Sequence, residues 1–114
     1  MTGYDVFKRA LSLLNLSGKT VFRDREAENS AVLEILNQLL LDLKCKEIAS
    51  LGQTLVISDS KSEALVYGVA MMIALTVGDA AKNGLFAEVY NAKRSIALSE
   101  LTHIRDVLPC VTEV

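Results

Sequence analysis

The chain has no tryptophan, one histidine, one proline and two cysteines, and each scarcity removes a class of chemistry. With a single imidazole, His103, every nucleophile–base scheme would have to run through one position, and that residue has no obvious partner. Its place near the end of the last expected helix suits an imidazole at the negative end of a helix dipole. Cys45 and Cys110 lie far apart, outside any CxxC spacing, and with one histidine they fall short of a zinc ligand set. Cys45 is expected to pack as a small apolar residue near a helix end, and Cys110 to belong to a tail. Glycine is equally unhelpful to chemistry: Gly78 and Gly84 flank DAAKN with no GK[ST], and only Asp79 holds a ligand-like position there. That excludes a phosphate loop and an EF-hand. The pairs Glu26 with Glu28, and Asp42 with Glu47, read as charged helix surface and not as an acid–base site. No catalytic residue, cofactor or metal is expected.

An excess of basic charge is also missing. Twelve Lys and Arg against fourteen Asp and Glu give a formal charge of −2, so no general pull on phosphate backbones or anionic lipid is expected. Lys8, Arg9 and Lys19, then Arg23 and Arg25, bracket a helix–turn–helix-like stretch, but Asp24, Glu26 and Glu28 interleave with them and no aromatic residue is placed for base stacking. The longest uncharged run, 64–78, is shorter than the roughly 20 residues a membrane-crossing helix needs. The N-terminal sequence lacks the unbroken apolar run of a signal peptide, so the chain is expected to remain in a reducing cytoplasm. What is present is apolar: 51% of the 114 residues are hydrophobic, enough for one folded domain without a second core.

The apolar residues follow helical spacing. Thr2 with Asp5 forms a loose capping pattern ahead of Val6, Phe7, Ala10, Leu11 and Leu14, which predicts a helix over about 3–15. Asn15, Ser17 and Gly18 supply turn chemistry, and Val21 and Phe22 a short apolar connection. A second helix is expected over about 24–48, with Val32, Ile35, Leu36, Leu39 and Leu43 on one face, broadened by Leu33, Leu40 and Leu41. Leu55-Val56-Ile57 is a short β-branched run, too brief to anchor a sheet. Ser60 and Glu63 match a capping box, so a third helix is expected over about 61–78, apolar on all sides and therefore central. Asn83-Gly84 reads as a turn before a fourth helix over about 84–102, with Leu85, Phe86, Val89, Ala92 and Ile96 inward and Glu88, Asn91, Arg94 and Ser95 outward. Pro109 cannot continue a helix and biases Leu108 toward extended backbone. The fold class predicted is all-α: a four-helix bundle-like single domain, 1–103, with an extended C-terminal arm, 104–114. The arm's candidate partner-binding residues are Ile104, Arg105, Val107, Leu108, Pro109 and Val111, since its apolar side chains need a surface to cover them.

Three stretches, in order, carry a resemblance: ALVYGVAMMIALTVGDAAKNGLF, then AEVYNAKRS, then IRDVLP. Together they resemble the small head–tail connector proteins, or neck adaptors, of tailed bacteriophages, over roughly 60–109. The resemblance rests on an apolar helix, an acidic-glycine break, the element Tyr90, Asn91, Lys93 and Arg94, and an arm ending in a proline. It implies a non-enzymatic structural subunit of a phage or prophage, forming a homo-oligomeric ring, commonly a dodecamer. Such a ring joins the portal protein to other neck or tail-completion proteins and continues the channel through which DNA passes without sequence-specific binding. It implies no membrane association, a place in the virion neck, and assembly in the host cytoplasm. The alternative left open is a small helical DNA-binding or DNA-packaging-associated protein.

Overall fold

The structure, a computed structural model, describes residues 1–16, 21, 22 and 24–107, with side chains through 99. The expected turn residues Ser17 and Gly18 lie outside the described residues. Four helices follow in order: α1 (Gly3–Leu13), α2 (Arg25–Asp42), α3 (Asp59–Thr76) and α4 (Ala80–Val107). The domain is an all-α, four-helix bundle-like fold. Among the described residues the only strand-like feature is an isolated antiparallel bridge between Thr2 and Thr54.

Helix starts follow local side-chain chemistry. Thr2 Oγ1 accepts from the Asp5 N–H at 3.3 Å and Asp5 Oδ2 accepts from the Thr2 N–H at 2.9 Å, the reciprocal box that the spacing predicts. The Thr2 backbone N–H on its carboxylate holds Asp5 below its ordinary pKa. Asp24 caps α2, accepting from the Ala27 N–H at 2.7 Å. The cap of α3 is Ser58, not Ser60: its hydroxyl accepts from the Lys61 N–H at 3.3 Å, and the helix begins at Asp59.

Helix ends were harder to place from sequence, and they share one device. In α1, α2 and α3 the residue after the C-cap has positive φ: Asn15 (59°), Lys44 (63°) and Gly78 (79°). The next N–H then reaches back to the third-last helical carbonyl, Leu16 to Leu11 at 2.8 Å, Cys45 to Leu40 at 2.8 Å and Asp79 to Ala74 at 2.9 Å, which is the Schellman arrangement. Thus α2 stops at Asp42, well short of the expected 48, because Lys44 turns left-handed. The turn before α4 is at Gly78, and the expected break at Asn83-Gly84 is helical. Asp79 Oδ1 accepts from the Lys82 N–H at 3.0 Å and restarts the helix at once, while Asn83 Nδ2 donates to the Met71 carbonyl at 2.9 Å and spends its side chain on α3.

The central position expected for α3 is observed. It packs against α1, α2 and most extensively α4, and Ala64, Leu65, Val66, Val69, Ala70, Ile73 and Ala74 are buried. At Gly68 a Cβ would come within 2.9 Å of the Tyr90 ring and 3.0 Å of Leu39, so the missing side chain lets α2 and α4 close on α3 together.

The connection from α2 to α3 is ordered without being helical. Asn37 grips it through its amide, Nδ2 donating to the Ile48 carbonyl at 3.0 Å and Oδ1 accepting from the Ile48 N–H at 2.8 Å. The N-terminus holds the other end: the Tyr4 N–H donates to the Leu51 carbonyl and the Leu55 N–H to the Met1 carbonyl. Ile48, Leu51 and Leu55 are buried beneath it.

The fourth helix runs to Val107, so the expected boundary at 103/104 is corrected: Ile104, Arg105 and Val107 are helical. Proline restricts the residue directly before it and clashes with the carbonyl four back, and nothing in 104–107 breaks a helix on its own. Leu108, Pro109 and Val111 lie outside the described residues.

Candidate functional site

The element Tyr90, Asn91, Lys93 and Arg94 is mostly an internal clasp. Tyr90 Oη donates to Asp42 Oδ2 at 2.6 Å, and Arg94 Nε lies 2.8 Å from the same oxygen as a charge contact without aligned hydrogen-bond geometry. Burial of the phenol, reinforced by the hydrogen bond to Asp42, pushes the Tyr90 pKa well above its ordinary value. A phenol held neutral this firmly is a donor, not a general base. Lys93 Nζ pairs with Glu63 at 3.2 Å and lies 5.5 Å from the centre of the Tyr67 ring, which meets Phe86 at 6.0 Å. Three of the four residues therefore tie α4 to α2 and α3, and Asn91 is exposed.

Arg94 was expected to face outward; it is half-buried on Asp42. The reason lies in the phase of α4. Among its described side chains the buried ones are Phe86, Tyr90 and Ala97, a stripe with spacings of four and seven. Leu85, Ala92 and Ile96, expected to point inward, form a second stripe about 100° round the helix. Leu85 is 57% exposed and Ile96 55%, and Ala92 is exposed as well. An amphipathic helix in a finished monomer buries its apolar face; α4 has two such faces and buries one. Leu75 and Val77, where α3 turns into α4, are also exposed.

A second feature is an open groove of about 520 Å³ between the α2–α3 connection and α4 at Ala97. Cys45, Ile48, Leu55 and Ile57 supply apolar lining, and Lys44, Lys46 and Lys61 stand around it with one acid, Glu47. Cys45 packs partly against the core near the end of α2, in the place expected for it. Sequence reasoning missed this groove because its walls come from α2's end, the connection and α4; only the lysine pair flanking Cys45 hinted at it.

Among the described residues no three His, Cys, Asp or Glu side chains converge as a metal site would require, and no helix is long and apolar enough to cross a membrane. The side chain of His103 lies outside the described residues. Of the arm's candidate residues, the structure places the backbones of Ile104, Arg105 and Val107 on the far end of α4. No family model matches the chain, and comparison with curated proteins and with solved structures finds no match either.

Proposed function

We propose that this chain is a structural head–tail connector subunit of a tailed phage or prophage, joining the portal to the neck or tail in a ring that continues the DNA channel. The observation that carries the reading is the second apolar stripe of α4. Leu85, Ala92 and Ile96 stand in water on a helix whose neighbouring stripe, Phe86, Tyr90 and Ala97, is already buried, an arrangement that favours association over an isolated monomer. A patch of this kind meeting a different patch on the next copy gives a head-to-tail contact, and such contacts close into rings when the rotation per subunit closes. The reading takes its specific class from the resemblance over 60–109, and the mild net negative charge suits a channel along which DNA must slide. The function needs no catalytic group or cofactor; the partners are further copies, the portal protein and the next neck or tail-completion protein. It acts in the virion neck after assembly in the host cytoplasm.

Co-expression with the portal protein of the same phage, followed by electron microscopy of the purified assembly, tests this. A ring coaxial with the portal is the expected image. A chain that stays monomeric and never binds portal defeats the proposal, and DNA affinity with a steep salt dependence would replace it with the DNA-binding alternative.

A further inference from the structure

We propose that the lysine-rimmed groove seats residues 108–114 of a second copy. The inference rests on the connector reading, which supplies the neighbour, and adds where neighbours grip each other.

The groove has the chemistry of a seat for an extended segment. At about 520 Å³ it falls in the range of cavities that take a few side chains. One wall is non-helical main chain: Val56 and Ile57 make no backbone hydrogen bond to a described residue, and Val56 is 94% exposed. Free peptide groups beside an apolar floor are what an added strand uses, main-chain bonds giving affinity and pockets giving specificity. The occupant's sequence fits. Leu108 and Val111 are apolar, and Pro109 biases Leu108 to extended backbone. Charge agrees in sign: Lys44, Lys46 and Lys61 have no carboxylate partner among the described residues, while 108–114 contains Glu113 and no basic residue.

The connector reading supplies the neighbour, and the segment has the length to reach one, since seven extended residues span about 24 Å. Ala97 lines the groove, and the helix then continues to Val107, about 15 Å further along its axis. An adjoining copy in the ring and the chain's own groove both fall within that reach, and isotope labelling separates the two.

The chain carries its own probes, since Cys45 lines the groove, Cys110 lies in the segment and there is no third cysteine. Full-length protein labelled with heavy nitrogen is mixed with unlabelled protein at rising concentration and treated with a short bismaleimide. The expected product is a Cys45–Cys110 linked peptide pairing labelled with unlabelled chains, its yield rising with concentration and absent from Cys45→Ser and Cys110→Ser. Lys46→Glu should lower that yield about threefold, and adding Glu113→Lys should restore it. Linked peptides of a single label with no mixed pairs would mean that the segment folds back on its own chain, and absence of the link in assembled protein would mean that it goes elsewhere; either overturns the proposal. Rings that form on portal unchanged after deletion of 108–114 sink the docking while leaving the connector standing. A chain that never self-associates and ignores portal removes both.

Discussion

At the scale of single residues, the contact with the largest consequence joins positions 48 apart, Tyr90 and Asp42. Tyr90→Phe keeps the ring against Gly68 and removes the hydroxyl, leaving Asp42 with Arg94 alone. We expect a loss of about 1–2 kcal/mol at neutral pH, measured by urea unfolding. The pH dependence has a definite sign. The folded pKa of Tyr90 lies above its ordinary value, so the fold favours the neutral phenol. That contribution is complete below the ordinary tyrosine pKa of about 10 and fades as pH rises above it. Wild type should therefore lose stability on the alkaline side more steeply than Tyr90→Phe, with the two unfolding curves converging. Gly68→Ala sets a methyl against Tyr90 and Leu39 at 2.9–3.0 Å and should cost about 1–3 kcal/mol, read as a lower midpoint with little change in the slope. The capping pair Thr2 and Asp5 was legible in the sequence because its partners are three apart. The Tyr90–Asp42 contact was not, because only the packing of α2 and α4 around α3 brings those positions together.

At the scale of elements, four helices and a central α3 could be read from apolar spacing and from a run without charge. Their ends could not, since a left-handed residue may be glycine, as Gly78 is, or a lysine that gives no signal, as Lys44 is. Lys44→Gly should relieve that conformation and stabilise the domain by roughly 0.5–1 kcal/mol, seen as a rise of a few degrees in Tm. The face of α4 was misread for a different reason: apolar residues at 85, 86, 89, 92 and 96 look like one broad stripe until the core selects Phe86 and Tyr90. The open stripe gives its own prediction. Leu85→Asp with Ile96→Asp should leave circular dichroism and Tm close to wild type, because both side chains are already more than half exposed, and should abolish ring formation by native mass spectrometry. Loss of the fold in that variant would mean that the stripe belongs to the core.

At the scale of the molecule, the described domain measures 52 × 30 × 17 Å with a radius of gyration of 15.3 Å, above the roughly 13 Å of a compact chain this size. The 28 residues of α4 outrun the 18 of α3 packed beside it. Deleting 108–114 should leave helical content intact by circular dichroism and abolish portal attachment or ring assembly. Nothing in the sequence announced this shape: Pro109 marked where a helix must stop, but whether 104–107 would coil or continue depended on the absence of an earlier break.

A rod has a heading, and a string does not. Each residue inserted between Ala97 and Val107 would swing everything downstream by about 100° and advance it by about 1.5 Å, whereas a seven-residue insertion would return nearly to the original bearing, one step of roughly 10 Å further out. Tolerance to insertions there should rise and fall with the pitch of the coil, so the α4 overhang would work as a gear tooth whose phase matters more than its length.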